Sequence, residues 1–369
     1  MKATSVALVS VFPLYTGTTA LVLDYRRALS DLGYMVNTYQ LVIPESPKEY
    51  VNNSYVMEGK RFPFKNFELP FNLLFILPNI VPELKEDIVF LSDPAILKLK
   101  KKFSNSVVIF HDLRDLSKFS LNPLRKIFYI YITKFVKSHD KIIAVSEFTK
   151  DILLSRFNLN LDVQIVDRCS HFTTDSSLME EKVAAIKRGK CEINVLYIAA
   201  DRPYKNIKLF IKVAEYIGRM TLEVKFNFIL LSKLRNSTKR YILKHHLNNL
   251  EIINHMDDIY PLYRKADILL YPSLIEGFGL PLVEAMSFGI PIIYSHNRPM
   301  KDIVGNSGIA VNPNLPELWV SELIKLSKKE NYEKMARLSY ERSAAYSYET
   351  FKEKLLEALK NFGYSTAKE

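Results

Sequence analysis

The sequence predicts an α/β protein made of two successive doubly wound parallel sheets. Short, wholly apolar runs alternate with amphipathic helical segments along most of the chain, the pattern of parallel strands covered on both faces. The alternation falters once, between His171 and Lys190, and then resumes. With 369 residues, 48% of them apolar, the chain is long enough for two cores.

In the first series Val6–Phe12 reads as a buried strand, Thr19–Leu32 as a helix stopping at Gly33, and Met35–Ile43 as the next strand. Further strands are expected at Ile88–Leu91, Val107–Phe110, Ile142–Val145 and Val163–Val166. The polar segment His171–Lys190 reads as an interdomain connection. The second series begins at Ile193–Ala199 and continues with a helix over Pro203–Ile217. Strands follow near Val224–Leu231, Ile252–Ile253, Ile268–Tyr271 and Ile290–Tyr294. A first domain over residues 1–175 and a second over 190–346 are expected. A last helix, Glu349–Asn361, lies in a tail, 347–369, expected to pack back on the first domain. Ligands in open α/β sheets bind at the C-terminal ends of the strands, so a cleft between the two domains is the expected site.

Composition narrows the function. No window reaches the roughly 18 uninterrupted apolar residues of a membrane span; Phe71–Val81 is broken by Asn72, Pro78 and Asn79. Met1-Lys2-Ala3-Thr4 has no signal-peptide architecture, and Cys169 and Cys191 make no disulfide framework, so a cytoplasmic location is expected. The net charge of +11 fits nucleic acid, an anionic membrane, anionic substrates, or simply a solvated lysine-rich surface. No zinc-finger or RNA-recognition motif is present, and no nucleic-acid partner is expected. Leu124–Lys141 interleaves Arg125, Lys126, Lys134 and Lys137 with Phe128, Tyr129, Tyr131 and Phe135, and Lys98–Lys102 adds further cations. That pattern suits peripheral contact with an anionic membrane, or a core-facing aromatic stripe with a solvated edge.

Asp267–Pro291 reads DILLYPSLIEGFGLPLVEAMSFGIP. A buried strand ends near Tyr271-Pro272, a loop holds Glu276-Gly277-Phe278-Gly279, and Pro281 suits the first turn of a helix that stops at Gly289. Free N–H groups at such a helix start hold an anion such as a diphosphate. Gly277 and Gly279 allow close backbone approach. Glu276 and Glu284 beside an anion site would repel it unless they serve neutral hydroxyls, and sugars supply those.

Glu276 to Met286, with Pro272-Ser273 before it and Gly289–Pro291 after it, resembles the donor signature E-G-F-G-L-P-x-x-E-A-M of glycosyltransferase family 4, retaining enzymes of the two-domain GT-B fold. Tyr263-Arg264-Lys265-Ala266-Asp267, Asp302-Ile303-Val304-Gly305 and Ser347-Tyr348-Glu349 extend the likeness, as do Phe110-His111-Asp112 and Val145-Ser146-Glu147-Phe148. The resemblance is dense in the second half and sparse in the first. It implies two Rossmann-like domains and transfer of a hexosyl group from a nucleoside diphosphate sugar to a hydroxyl acceptor, with retention. Glu276 would then lie by the transferred sugar, Glu284 would hold the ribose, and the backbone of Phe278-Gly279-Leu280 would contact sugar and phosphates. Lys205 would neutralise the diphosphate, and His111 would sit near the reacting sugar. A fixed cation at a helix start stabilises a charged leaving group, and no Asp-x-Asp follows an apolar strand, so a clamp without metal and no cofactor beyond the donor are expected. The family's arginine five residues before the lysine is Ala200 here; Arg202 is expected to share the clamp. The first-domain glycine loop is reduced to Gly17, a contact to phosphate or acceptor or an ordinary helix-capping turn.

Three other classes bear on the same residues. An oxidoreductase lacks support, since no G-x-G-x-x-G follows the first strand. A nucleotide-sugar epimerase of the same fold and a non-catalytic nucleotide-sugar-binding protein stay open.

Overall fold

A computed structural model describes residues 4–11, 17–42, 54–58, 75–103, 105–111, 127, 130–131, 134–137, 140–157, 162–174, 176–245 and 247–364. The chain divides into two compact units. Unit 1 is Met1–Arg168 with Glu349–Glu369, and unit 2 is Cys169–Tyr348.

Unit 1 holds a seven-stranded parallel sheet. Its strands are β1 (Ser5–Val11), β2 (Met35–Val42), β3 (Ser54–Glu58), β4 (Ile88–Leu91), β5 (Ser106–Phe110), β6 (Lys141–Ala144) and β7 (Asp162–Ile165). Their order is β3-β2-β1-β4-β5-β6-β7. Every residue of β4 and β5 is buried, which is why these strands read as unbroken apolar runs. The helix Tyr348–Asn361 closes the unit: Phe351 packs edge-on against Tyr25 at 5.2 Å, and Lys354 pairs with Asp167 at 2.6 Å.

Unit 2 holds six parallel strands: β8 (Glu192–Ile198), β9 (Lys225–Leu231), β10 (Leu250–Ile253), β11 (Ile268–Tyr271), β12 (Ile292–Ser295) and β13 (Ile309–Val311). The order is β10-β9-β8-β11-β12-β13. Strand order reverses between β8 and β11, and loops leaving the C-terminal ends of two such strands diverge to open a ligand crevice. β11 and β12 are wholly buried.

Two strands escape the sequence reading, β3 and β13, and both are sheet edges. Tyr55 and Val56 of β3 are exposed, so that strand lacks an apolar run; β13 has only three residues.

The segment read as a connection is instead largely a helix of unit 2, Ser176–Lys187. It buries Met179, Lys182, Val183 and Ile186, spaced as one helix face requires. The lysine in that stripe hides the pattern. Its ammonium donates to the carbonyls of Arg264 and Ala266 at the end of the helix Tyr260–Lys265, where cations are favoured, and burial pushes it down to about 8. The boundary therefore falls at residue 169 rather than in the 175–190 interval.

Gly289 ties this helix to the site. It ends the helix Leu280–Ser287 at φ +60°, and a Cβ there would overlap the Met179 side chain. Gly289→Ala is expected to destabilise the protein by about 2–4 kcal/mol, from left-handed strain plus overpacking. Urea unfolding measures it; an unchanged midpoint would show that the 176–187 helix does not seat there.

The predicted helix over Pro203–Ile217 is also two pieces. A 3-10 turn, Pro203–Lys205, precedes the helix Ile207–Gly218, with Asn206 between them at φ +51°. Asparagine is among the few non-glycine residues that enter this conformation readily.

Candidate active site

The loops after β8 and β11 meet at the reversal point of unit 2. Lys205 comes from the first and Glu276 from the second, and Nζ lies 2.6 Å from Glu276 Oε1. Both side chains are largely shielded, 15% and 6% exposed, so water weakens the pair little. Two buried tyrosines on these neighbouring strands hold the pair in place. Tyr271 of β11 donates its hydroxyl to Glu276 Oε1 at 2.9 Å. Tyr197 of β8 donates to the Lys205 carbonyl at 2.6 Å and lies 3.0 Å from Ser273 Oγ. Their rings cross edge-on at 5.6 Å. Burial raises both phenols well above their ordinary value, and the Glu276 charge adds to this, so both stay neutral donors.

Leu274 locks the two loops together. Its N–H donates to the Tyr204 carbonyl at 2.7 Å, and its own carbonyl accepts from Asn297 at 2.9 Å. Gly279 then caps the helix Leu280–Ser287 at φ +111°, a conformation side chains rarely adopt, and a Cβ would crowd Leu282 at 3.0 Å. Gly277 and Phe278 are buried, and Phe278 packs edge-on against Tyr346 at 5.8 Å. Leu280 opens the helix, as Pro281 at its start implies.

Glu284 lies one turn into that helix and is 2% exposed. Tyr263 donates to its Oε2 at 2.7 Å, and His171 Nδ1 lies 3.0 Å from Oε1. Thus Lys205, Glu276, Gly277, Phe278, Gly279, Leu280 and Glu284 all lie on two adjoining loops and one helix of unit 2. Arg202 does not reach into this set. Its side chain is exposed, and only its backbone joins the turn, with its carbonyl accepting from the Lys205 N–H at 3.0 Å. The buried member of this loop is its neighbour Asp201, paired with Arg235 at 3.0 Å. Burial alone would raise the Asp201 carboxyl, but hydrogen bonds from Arg235 and Thr238 hold it below the ordinary range.

His111 and Gly17 belong to unit 1. His111 follows β5, with Nε2 3.7 Å from Asp93 Oδ2. Asp93 follows the adjacent strand β4 and was not singled out from sequence, although it stands past its strand end much as His111 does. Gly17 is the first residue of the helix Gly17–Asp31, and the residues before it, 12–16, lie outside those described. So do Asp112, Arg125, Lys126, Phe128 and Tyr129. Much of the basic run is engaged: Lys100 pairs with Asp140, Lys102 donates to the Val81 carbonyl at 3.3 Å, and Lys101 sits over the Phe135 ring at 5.3 Å. Among the described residues, no group of three or more His, Cys, Asp and Glu could hold a metal ion, and no helix is long and apolar enough to cross a membrane.

Chemically, unit 2 offers a shielded cation, a carboxylate fixed beside it, a glycine-capped helix start and a second fixed carboxylate. A cation and a helix start can hold an anion, and fixed carboxylates can accept from hydroxyls. Two family models match the chain: Glycosyl transferases group 1 over residues 179–343, and Glycosyltransferase Family 4 over residues 15–169. The chain belongs to the group 1 glycosyltransferases. This glycosyltransferase is 26% identical to the O-antigen chain mannosyltransferase RfbU of Salmonella typhimurium over 226 residues, which is 59% of the chain and 60% of RfbU. The alignment thus spans about three fifths of that relative's own length. Among solved structures it resembles sucrose-phosphate synthase from Thermosynechococcus elongatus, with TM-score 0.75 at 16% identity, covering 98% of this chain and 99% of that one. It also resembles Anabaena HepE in complex with UDP and glucose, with TM-score 0.72 at 13% identity, covering 96% and 99%. The two parallel-sheet units are those of the GT-B fold.

Proposed function

We propose that this glycosyltransferase moves a hexosyl group from a nucleoside diphosphate sugar to a hydroxyl acceptor, with retention of anomeric configuration. The observation that carries the reading is the shielded Lys205–Glu276 pair, 2.6 Å apart at the strand-order reversal of unit 2. Lys205 serves the diphosphate, whose charge grows as it leaves. Glu276 serves hydroxyls of the transferred sugar, and Glu284 serves the ribose. RfbU is a mannosyltransferase and HepE was solved with UDP and glucose, which supports a sugar nucleotide as donor and a hexose as cargo. Arg202, at the rim of the same turn, is assigned to the diphosphate clamp in place of the family arginine that Ala200 replaces, and Gly17 and His111 of unit 1 are assigned to the reaction from the sequence.

In this reading the acceptor hydroxyl attacks on the face that the diphosphate leaves, and the departing diphosphate takes the acceptor proton. Glu276 is read as an orienting group rather than a nucleophile, and the hydrogen bonds its Oε1 accepts from Lys205 and Tyr271 support that reading by holding the carboxylate in place. The lysine replaces a metal at the phosphates. Peripheral contact with an anionic membrane belongs to the same proposal, with Lys98 over the exposed Phe75 ring at 5.5 Å as its support.

Proton NMR of the first-formed product tests the stereochemistry. An α-linked donor is expected to give an α-linked product; a β-linked product would contradict retention.

A further inference from the structure

The residues that open unit 2 carry a histidine that the proposed reaction leaves unused. His171 Nδ1 meets Glu284 Oε1 at 3.0 Å while Tyr263 donates to Oε2 at 2.7 Å. An ionised carboxylate only accepts, so this contact places a proton on Nδ1. The two donors reach Glu284 from opposite environments. Tyr263 is wholly buried, whereas the His171 side chain is 32% exposed. Each carboxylate oxygen has two lone-pair sites. With one at each oxygen filled by a fixed donor, each oxygen keeps a second acceptor site.

The histidine is itself held firmly. The Ser170 N–H donates to the Tyr346 carbonyl at 2.9 Å, and the Phe172 N–H donates to Ser170 Oγ at 3.1 Å. The Phe172 ring packs against Tyr263 at 5.5 Å and Phe288 at 5.1 Å. Tyr263 therefore braces the histidine segment with its ring and the carboxylate with its hydroxyl. Such support from neighbouring side chains keeps a recognition group within the narrow geometry that hydroxyl pairs demand.

We infer that His171 is a positioning residue: with Tyr263 it fixes Glu284 against the two hydroxyls of the donor's ribose and so sets the preference for ribonucleotide over deoxyribonucleotide donors. This rests on the assignment of Glu284 to the ribose. A site built to hydrogen-bond a hydroxyl rejects a ligand lacking it because its buried polar groups lose their partners.

The test is calorimetric binding of UDP, GDP and ADP, followed by the 2′,3′-dideoxy form of whichever binds tightest. Wild type is expected to prefer the ribonucleotide by at least about tenfold. His171→Ala should weaken ribonucleotide binding roughly tenfold, the scale of one hydrogen bond to a charged group. Binding of the dideoxy form should stay within about twofold, which also reports an intact fold. His171→Asn, whose amide nitrogen can stand where Nδ1 does, should restore most of the preference. Equal weakening of both ligands, or an unchanged preference in His171→Ala alongside a lost one in Glu284→Ala, would overturn the inference. If Glu284→Ala itself keeps the wild-type preference, the ribose assignment fails instead.

Discussion

Replacing Glu276 by alanine is expected to lower turnover roughly a hundredfold, the scale seen when one preorganised group at a reacting centre is removed. The side chain is 6% exposed and carries two donors, Lys205 and Tyr271, on one oxygen. Alanine removes the acceptor for both and leaves the buried Tyr271 hydroxyl without its carboxylate, at a cost of roughly 1–3 kcal/mol in stability. A fall in activity from alanine alone would thus mix chemistry with folding. Glu276→Gln separates them, since the amide oxygen still accepts from Tyr271 and the volume is unchanged. Steady-state rates and a melting curve on both variants decide the matter. Near-wild-type melting of the glutamine variant with turnover still depressed at least about tenfold identifies the charge as the required feature. Normal turnover in both would remove Glu276 from the site.

Lys205→Ala is expected to weaken nucleoside diphosphate binding by roughly one to two orders of magnitude. Two effects act in the same direction. The diphosphate loses its cation, and Glu276, 6% exposed, loses its ion-pair partner and leaves a negative charge at the same spot. Removing one partner of a shielded pair costs more than the pair itself contributes. The double variant Lys205→Ala, Glu276→Gln should therefore bind the diphosphate better than Lys205→Ala alone. That non-additivity is the signature of two charges in direct contact.

The legible part of this protein was the part whose physics is local. β11 and β12 are buried throughout, so their sequence is apolar throughout. The loop between β11 and the next helix announces itself through Gly279, which alone tolerates φ +111° there, and through Pro281 at the helix start. Glu276 and Glu284 stand out because carboxylates are rare in so apolar a stretch. What stayed hidden was set by partners distant in sequence. Tyr197 and Tyr271 read as strand residues, and nothing local reveals that their hydroxyls hold Lys205 and Glu276. Lys182 disguised a helix because it serves carbonyls more than eighty positions away. The helix break at Asn206, which puts Lys205 on a tight turn, depends on a left-handed residue that asparagine permits but does not demand. His171 lay in a polar stretch, and only the fold brings it to Glu284.

The most direct test of the central claim, that the Lys205–Glu276 site takes the diphosphate of a sugar nucleotide, is calorimetric titration with UDP, GDP and ADP in EDTA-containing buffer. The expected result is saturable binding of at least one of them to wild type, weakened at least about tenfold in Lys205→Ala and partly regained in the double variant. Equal affinity in wild type and Lys205→Ala would contradict it.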